Sequence, residues 1–145
     1  MLPPLLVHVY GQSPIARAFA AVGRALGHQV ESAADPWAVI APDTAVVLVA
    51  SHGVSEEPVL RAALAAGVPY VGLIAGRGHG AAVLAAVEEG ERVDVPAGLD
   101  IGATTPGEIA ISIHARIIQR GLTGRSRTPG WAEAAGPPPG WVFLR

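Results

Sequence analysis

The chain has 145 residues with no cysteine and no lysine, and ten arginines against twelve acids leave a net charge of −2 with the five histidines neutral. Those absences exclude disulfide scaffolds, cysteine-ligated zinc or iron–sulfur centres, thiol nucleophiles, Schiff-base lysines and P-loops, and a slight acidic excess argues against nucleic acid as a partner. No apolar run reaches the roughly 18 residues of a membrane span and no signal-peptide pattern opens the chain, so the expectation is a cytoplasmic globular domain away from the membrane.

In chain order, Leu5–Tyr10 (LLVHVY) reads as a buried strand. Ser13 and Pro14 then supply an N-cap and a first helical residue, Ile15, Phe19, Val22 and Leu26 share one helix face, and Gly27 ends the helix. His28–Ala33 is the second strand and Ala45–Ala50 (AVVLVA), the most hydrophobic, the third. A helix capped by Ser55 follows over Glu56–Ala66, with two acids in its positive first turn. Tyr70–Ile74 is strand four, Gly80–Glu89 a helix and Val93–Val95 a short fifth strand.

The last helix carries the sharpest local pattern. Thr105-Pro106-Gly107-Glu108 is a capping box, and the helix should run to Arg120 and stop at Gly121. Its isoleucines and alanines cover well over half its circumference, which calls for a second contact surface. From there to Arg145 the chain is rich in Gly and Pro. Residues 1–121 are read as one domain and 122–145 as a tail ending in an apolar Trp141–Leu144 anchor, with a tail lacking fixed structure as the alternative.

Strands joined by single helices require right-handed crossovers, and apolar strands require burial on both sides. The expected fold class is therefore α/β: a doubly wound, mainly parallel sheet of five to six strands with helices on both faces. Ligands of such sheets lie beyond the carboxyl ends of the strands, so the loops there hold the candidate residues.

The loop after strand one, Gly11-Gln12-Ser13-Pro14-Ile15-Ala16, has the place and length of a dinucleotide loop, with Ser13 where the second glycine belongs. Asp35 stands where an acid would bind a ribose hydroxyl. This loop either binds nucleotide or is a tight turn whose serine caps a helix. After strand three, Ser51 and His52 offer hydrogen-bonding groups to a crevice; no G-x-S-x-G elbow accompanies them. After strand four, Gly76 and Arg77 form an anion cradle of flexible backbone and one guanidinium. After strand five, Gly98, Asp100, Gly102 and Thr105 precede the capped helix, where Asp100 either accepts from a ligand or ties down its own loop. No catalytic residue and no metal-ligand set emerges.

These motifs resemble the Rossmann-like C-terminal domain of the xanthine dehydrogenase accessory factors, the XdhC/CoxI family. The resemblance rests on VVLVASHGVSEEPVLRAALAAGVPYVGLIAGRGHGAAVL from Val46 and above all on GLDIGATTPGEIAISI over Gly98–Ile113. The N-terminal loop GQSPIARAF is similar to the family's glycine-rich loop at Gly11, Arg17 and Ala18. Membership implies a Rossmann-like domain of a cytoplasmic accessory protein without turnover of its own. Such a protein binds molybdenum cofactor (molybdopterin) and helps insert it into a xanthine dehydrogenase-type molybdenum hydroxylase. It further implies a homodimer and work beside a cysteine desulfurase or a separate cysteine-bearing accessory chain. Two other functions remain open on the residues: an NAD(P)-dependent oxidoreductase using Gly11, Ser13 and Asp35, and a non-catalytic interaction module.

Overall fold

The computed structural model describes residues 4–122. Five strands form one all-parallel sheet: β1 (Leu6–Tyr10), β2 (Gln29–Ala33), β3 (Val46–Val49), β4 (Tyr70–Leu73) and β5 (Val93–Asp94), in the spatial order β2-β1-β3-β4-β5. Four helices connect or follow them: α1 (Pro14–Ala25), α2 (Glu56–Ala65), α3 (Arg77–Ala85) and α4 (Pro106–Gln119). The strand order reverses between β1 and β3, which makes that junction the topological switch point. This is the doubly wound, Rossmann-like α/β fold that the alternation of strand and helix patterns predicts. The tail reading, including the Trp141–Leu144 anchor, lies outside the described residues.

Strand periodicity sorts the core into two halves. On β3, Val46 and Leu48 point to one face of the sheet with Phe19 of α1 and Ala110, Ile113 and Ile117 of α4. Val47 and Val49 point to the other, with Val59, Leu60, Ala63 and Leu64 of α2 and Val83 of α3. Each fully buried aliphatic or aromatic side chain of this kind contributes about 1.5–3 kcal/mol. The helices bury the stripes that 3.6-residue periodicity dictates: Ala16, Phe19, Ala20 and Gly23 on α1, and Glu56, Val59, Leu60, Ala63 and Leu64 on α2. The second stripe draws a carboxylate, Glu56, into the interior.

Two helix starts depart from the sequence expectations. Ser55 precedes α2 but makes no side-chain cap; it sits in the left-handed region at φ 52°. Helix α3 begins at Arg77 rather than Gly80, so Gly76 is its N-cap and Arg77 lies in its first turn. On α4, Ile111 and Ile118 remain exposed outside the face that packs on α1 and the sheet. Among the described residues no helix is long and apolar enough to cross a membrane.

Candidate functional site

A cleft of about 700 Å³ opens at the carboxyl ends of β4 and β5. Its walls come from the segment Ile74–Arg77, the loop Asp94–Ala103, His52 from the loop after β3, and Ile109, Ser112 and Arg116 of α4. Gly76, Arg77, Gly98, Asp100, Gly102 and His52, all candidates from the sequence, therefore meet around one space.

Each wall has a local cause. Gly76 caps α3 with no side-chain acceptor, leaving the first-turn N–H groups of that helix free of a capping side chain. The Arg77 guanidinium is exposed beside them, and the combination of open amides, helix dipole and fixed cation favours an anion. Gly98 holds φ at +103°, and a Cβ there would stand 2.5 Å from Ser112 Oγ and 3.1 Å from the Ile113 nitrogen. Only glycine lets the loop after β5 lie this close to α4, where the Leu99 N–H donates to the Ser112 carbonyl at 3.0 Å.

The remaining candidates are placed differently. Gly11, Ser13 and Ser51 line a separate depression of about 380 Å³ at the switch point, which His52 shares. Gly11 has φ +119°, and a Cβ on it would collide with the Ala50 carbonyl oxygen. The Ser13 hydroxyl donates to that same carbonyl at 2.8 Å and accepts from the Ala16 N–H at 3.1 Å, so it is engaged within the protein. Ser51 Oγ donates to the Val54 carbonyl (2.9 Å), which Tyr10 also reaches (3.0 Å). Asp35 is exposed beyond β2 and accepts from the Trp37 N–H at 2.9 Å. Thr105 lies outside both spaces. Its hydroxyl accepts from the Glu108 N–H while Glu108 Oε1 takes the N–H groups of Thr104 and Thr105, which closes the start of α4. Those amide and hydroxyl donors hold the Glu108 carboxyl below its usual range.

Sequence reasoning missed two groups of residues. The first surrounds Asp94, at the end of β5 and on the cleft wall, with only 10% of its side chain exposed. Its Oδ2 accepts from the Tyr70 hydroxyl at 2.7 Å and from the Gly98 N–H at 3.2 Å. Its Oδ1 faces Arg116 Nη1 and Arg120 Nη2, each 3.8 Å away. Arg120 also lies 5.2 Å over the Tyr70 ring. Burial, followed by the bond to Asp94, pushes the Tyr70 phenol far above its ordinary range, so it stays a donor. The arginines stand one turn apart, Arg116 on α4 and Arg120 at its C-cap, a spacing visible in the sequence; their meeting with Asp94 depends on the β4–β5 pairing.

The second group is Glu56 with His79. Glu56 Oε1 lies 2.6 Å from His79 Nε2, its side chain is 3% exposed, and its Oε2 is buried with no partner among the described residues. His79 sits in the first turn of α3 and is half exposed. The loop bridging to Glu56 carries two non-glycine residues in the left-handed region, His52 and Ser55, a conformation rare enough that it concentrates at functional loops. The signal for Glu56 was its place on the apolar stripe of α2. Among the described residues no group of three or more His, Asp or Glu side chains is placed to hold a metal ion.

The family model of the XdhC Rossmann domain matches residues 7–117. The chain belongs to the XdhC Rossmann-domain family. Among solved structures it is similar to a crystal structure described as a xanthine dehydrogenase from Bacillus halodurans, with 21% identity and a TM-score of 0.72. That likeness covers 90% of this chain and 46% of the other, so this chain spans about half of its length, and at this identity it speaks for the fold alone. No curated protein sequence matches. The XdhC match takes in the sheet from the second residue of β1 onward and the whole cleft wall from His52 to Arg116.

Proposed function

We propose that this XdhC domain is a cofactor-handling accessory module that holds molybdopterin, the pterin phosphate of the molybdenum cofactor, and passes it to a xanthine dehydrogenase-type molybdenum hydroxylase. Molybdopterin is cargo in this reading, and the domain performs no turnover on it. Family membership supports the accessory role, and the name carried by the similar Bacillus halodurans structure is in keeping with it.

The observation that carries the reading is the convergence of the open α3 N-terminus, Arg77 and the Gly98–Gly102 loop on one cleft. Its volume of about 700 Å³ lies within the range of small-molecule sites, roughly 300–1,000 Å³. The phosphate would rest on the amides of Arg77 and Gly78 with the Arg77 guanidinium beside it. Ile74, Ala97, Leu99 and Ile109 give the ring an apolar bed, and His52 and Asp100 offer polar groups at the rim. The 145 residues contain no cysteine, so in this reading any sulfur transfer to the cofactor is done by groups outside them, such as a cysteine desulfurase or a cysteine-bearing accessory chain. The exposed Ile111 and Ile118 of α4 are the surface for a homodimer or for the hydroxylase.

Calorimetric titration of the purified protein with molybdopterin, NADH and NADPH tests the proposal. The expected result is saturable binding of molybdopterin and none of either nucleotide. Binding of NADH or NADPH without molybdopterin would replace it with the oxidoreductase reading.

A further inference from the structure

We infer that Arg116 is a second ligand-binding cation of the cleft, directed at an acceptor on the heterocycle rather than at the phosphate, with Asp94 as its positioning residue. The inference rests on the reading above, that the cleft takes a phosphorylated pterin, and specifies how the ring is recognised.

Arg116 lines the same cleft as Arg77 but comes from α4 rather than α3. A guanidinium has five N–H donors in one plane. Arg116 Nη2 donates to the Gly98 carbonyl at 3.0 Å. Its Nη1 stands 3.8 Å from Asp94 Oδ1, beyond hydrogen-bond reach, and its Nε is buried with no acceptor among the described residues. The side chain is thus held between two groups, its Nε is shut away from solvent, and the N–H groups of Nη1 are the donors it keeps to spare among the described residues.

The charge count points the same way. Asp94 is one carboxylate facing two guanidiniums, those of Arg116 and Arg120, while its other oxygen is taken by Tyr70 and the Gly98 N–H. Among the described residues, the corner where β5 meets α4 therefore holds two guanidiniums paired with a single carboxylate. A planar fork with unused N–H groups at the wall of a cleft suits a carbonyl or similar acceptor lying in its plane. The keto oxygen of a pterin's pyrimidinone ring is such an acceptor, and it is chemically separate from the phosphate assigned to Arg77. The cleft then reads two ends of one ligand with two arginines on two helices.

The test is titration of the full chain with molybdopterin and, separately, with inorganic phosphate, on wild type, Arg116→Gln and Arg116→Lys. Arg116→Gln is expected to weaken molybdopterin by about tenfold or more, the range of a lost charge-assisted hydrogen bond, and to leave phosphate affinity within about twofold. Arg116→Lys keeps the charge and loses the planar fork, so it should restore the fold fully and the affinity only in part. Unchanged molybdopterin affinity in a folded Arg116→Gln protein would overturn the inference and leave the proposed function standing. Equal losses for molybdopterin and phosphate would also overturn it, by assigning Arg116 to the phosphate. Should Arg116→Gln fail to fold, Arg116→Lys decides: wild-type affinity for molybdopterin overturns the inference and a selective loss supports it. Failure of the wild type to bind molybdopterin at all would overturn both readings.

Discussion

The Tyr70 hydroxyl donates to Asp94 Oδ2 at 2.7 Å, and the bond exists because the residue between them is glycine. Gly72 pairs with Asp94 across the β4–β5 ladder. A Cβ at position 72 would stand 2.9 Å from Tyr70 Cε1, 3.0 Å from its hydroxyl and 3.2 Å from Ala97 Cβ. The ring therefore lies along its own strand over Gly72 and delivers a phenol to the carboxylate that aims Arg116. Tyr70→Phe should cost about 2 kcal/mol, the worth of a hydrogen bond to a charged group, and Gly72→Ala about 1–3 kcal/mol from overpacking. Urea denaturation of the two variants checks this, and a midpoint equal to wild type for Tyr70→Phe would mean that the bond adds nothing.

Gly98→Ala tests whether the loop after β5 needs glycine for its path. The new methyl would have to push away Ser112 Oγ at 2.5 Å while the backbone holds φ at +103°. Strain and overpacking together should cost about 3 kcal/mol. The Gly98 N–H and carbonyl also hold Asp94 and Arg116, so ligand affinity should fall with stability. Thermal melting and molybdopterin titration on one preparation would reveal either loss.

Stability should depend on pH through two interior histidines. Burial pushes the His114 imidazole below its ordinary value of 6.5, with the Phe19 carbonyl opposing and His28 adding to the shift. Burial lowers His8 likewise, against the pull of Glu31. His114 stacks on the Phe19 ring at 4.1 Å and bonds the Phe19 carbonyl at 2.9 Å through Nε2, which assigns the proton to that nitrogen; Nδ1 has no hydrogen-bond partner among the described residues. The unfolded chain, titrating near 6.5, takes up protons that the folded chain refuses. Stability is therefore full above about pH 6.5 and falls as the pH drops below it towards the lowered folded values. Urea midpoints at pH 7.5 and 5.5 should differ in that direction, and His114→Gln should make the slope shallower. A midpoint that rises on acidification would contradict the account.

How far the molecule can be read from its sequence differs by element. Strands and helices emerged because their signals are local: Ser13-Pro14 and Thr105-Pro106-Gly107-Glu108 cap helices by contacts within four residues. The segments around Arg77 and Gly98–Gly102 were legible as site candidates because parallel sheets gather such loops at one end. Asp94 was not, since nothing near Val93 shows that β5 will lie beside Gly72 or that α4 will return over both. Ser13 and Thr105 illustrate the converse: residues suited to a ligand were also suited to capping, and both hydroxyls are engaged in caps.

That last point yields a separation of roles. Thr105→Ala removes the acceptor for the Glu108 N–H and should cost about 1 kcal/mol of stability, the usual worth of an N-cap. Because Thr105 lies outside the lining of the cleft, molybdopterin affinity should stay at the wild-type value. A selective loss of affinity at unchanged stability would return Thr105 to the binding site.

Arg77→Ala is the opposite case. Arg77 is exposed in the first turn of α3 and makes no ion pair among the described residues, so its removal should move stability by less than about 0.5 kcal/mol. If its guanidinium holds the phosphate, molybdopterin affinity should fall by about 1.5–3 kcal/mol, the range for a hydrogen bond to a charged group. The α3 amides remain in the variant, so residual binding should persist and weaken further as salt is added. Titration at two ionic strengths, with a melting curve on the same sample, separates these effects. Unchanged affinity at low salt would take Arg77 out of the site and leave the helix terminus as the anion's sole anchor.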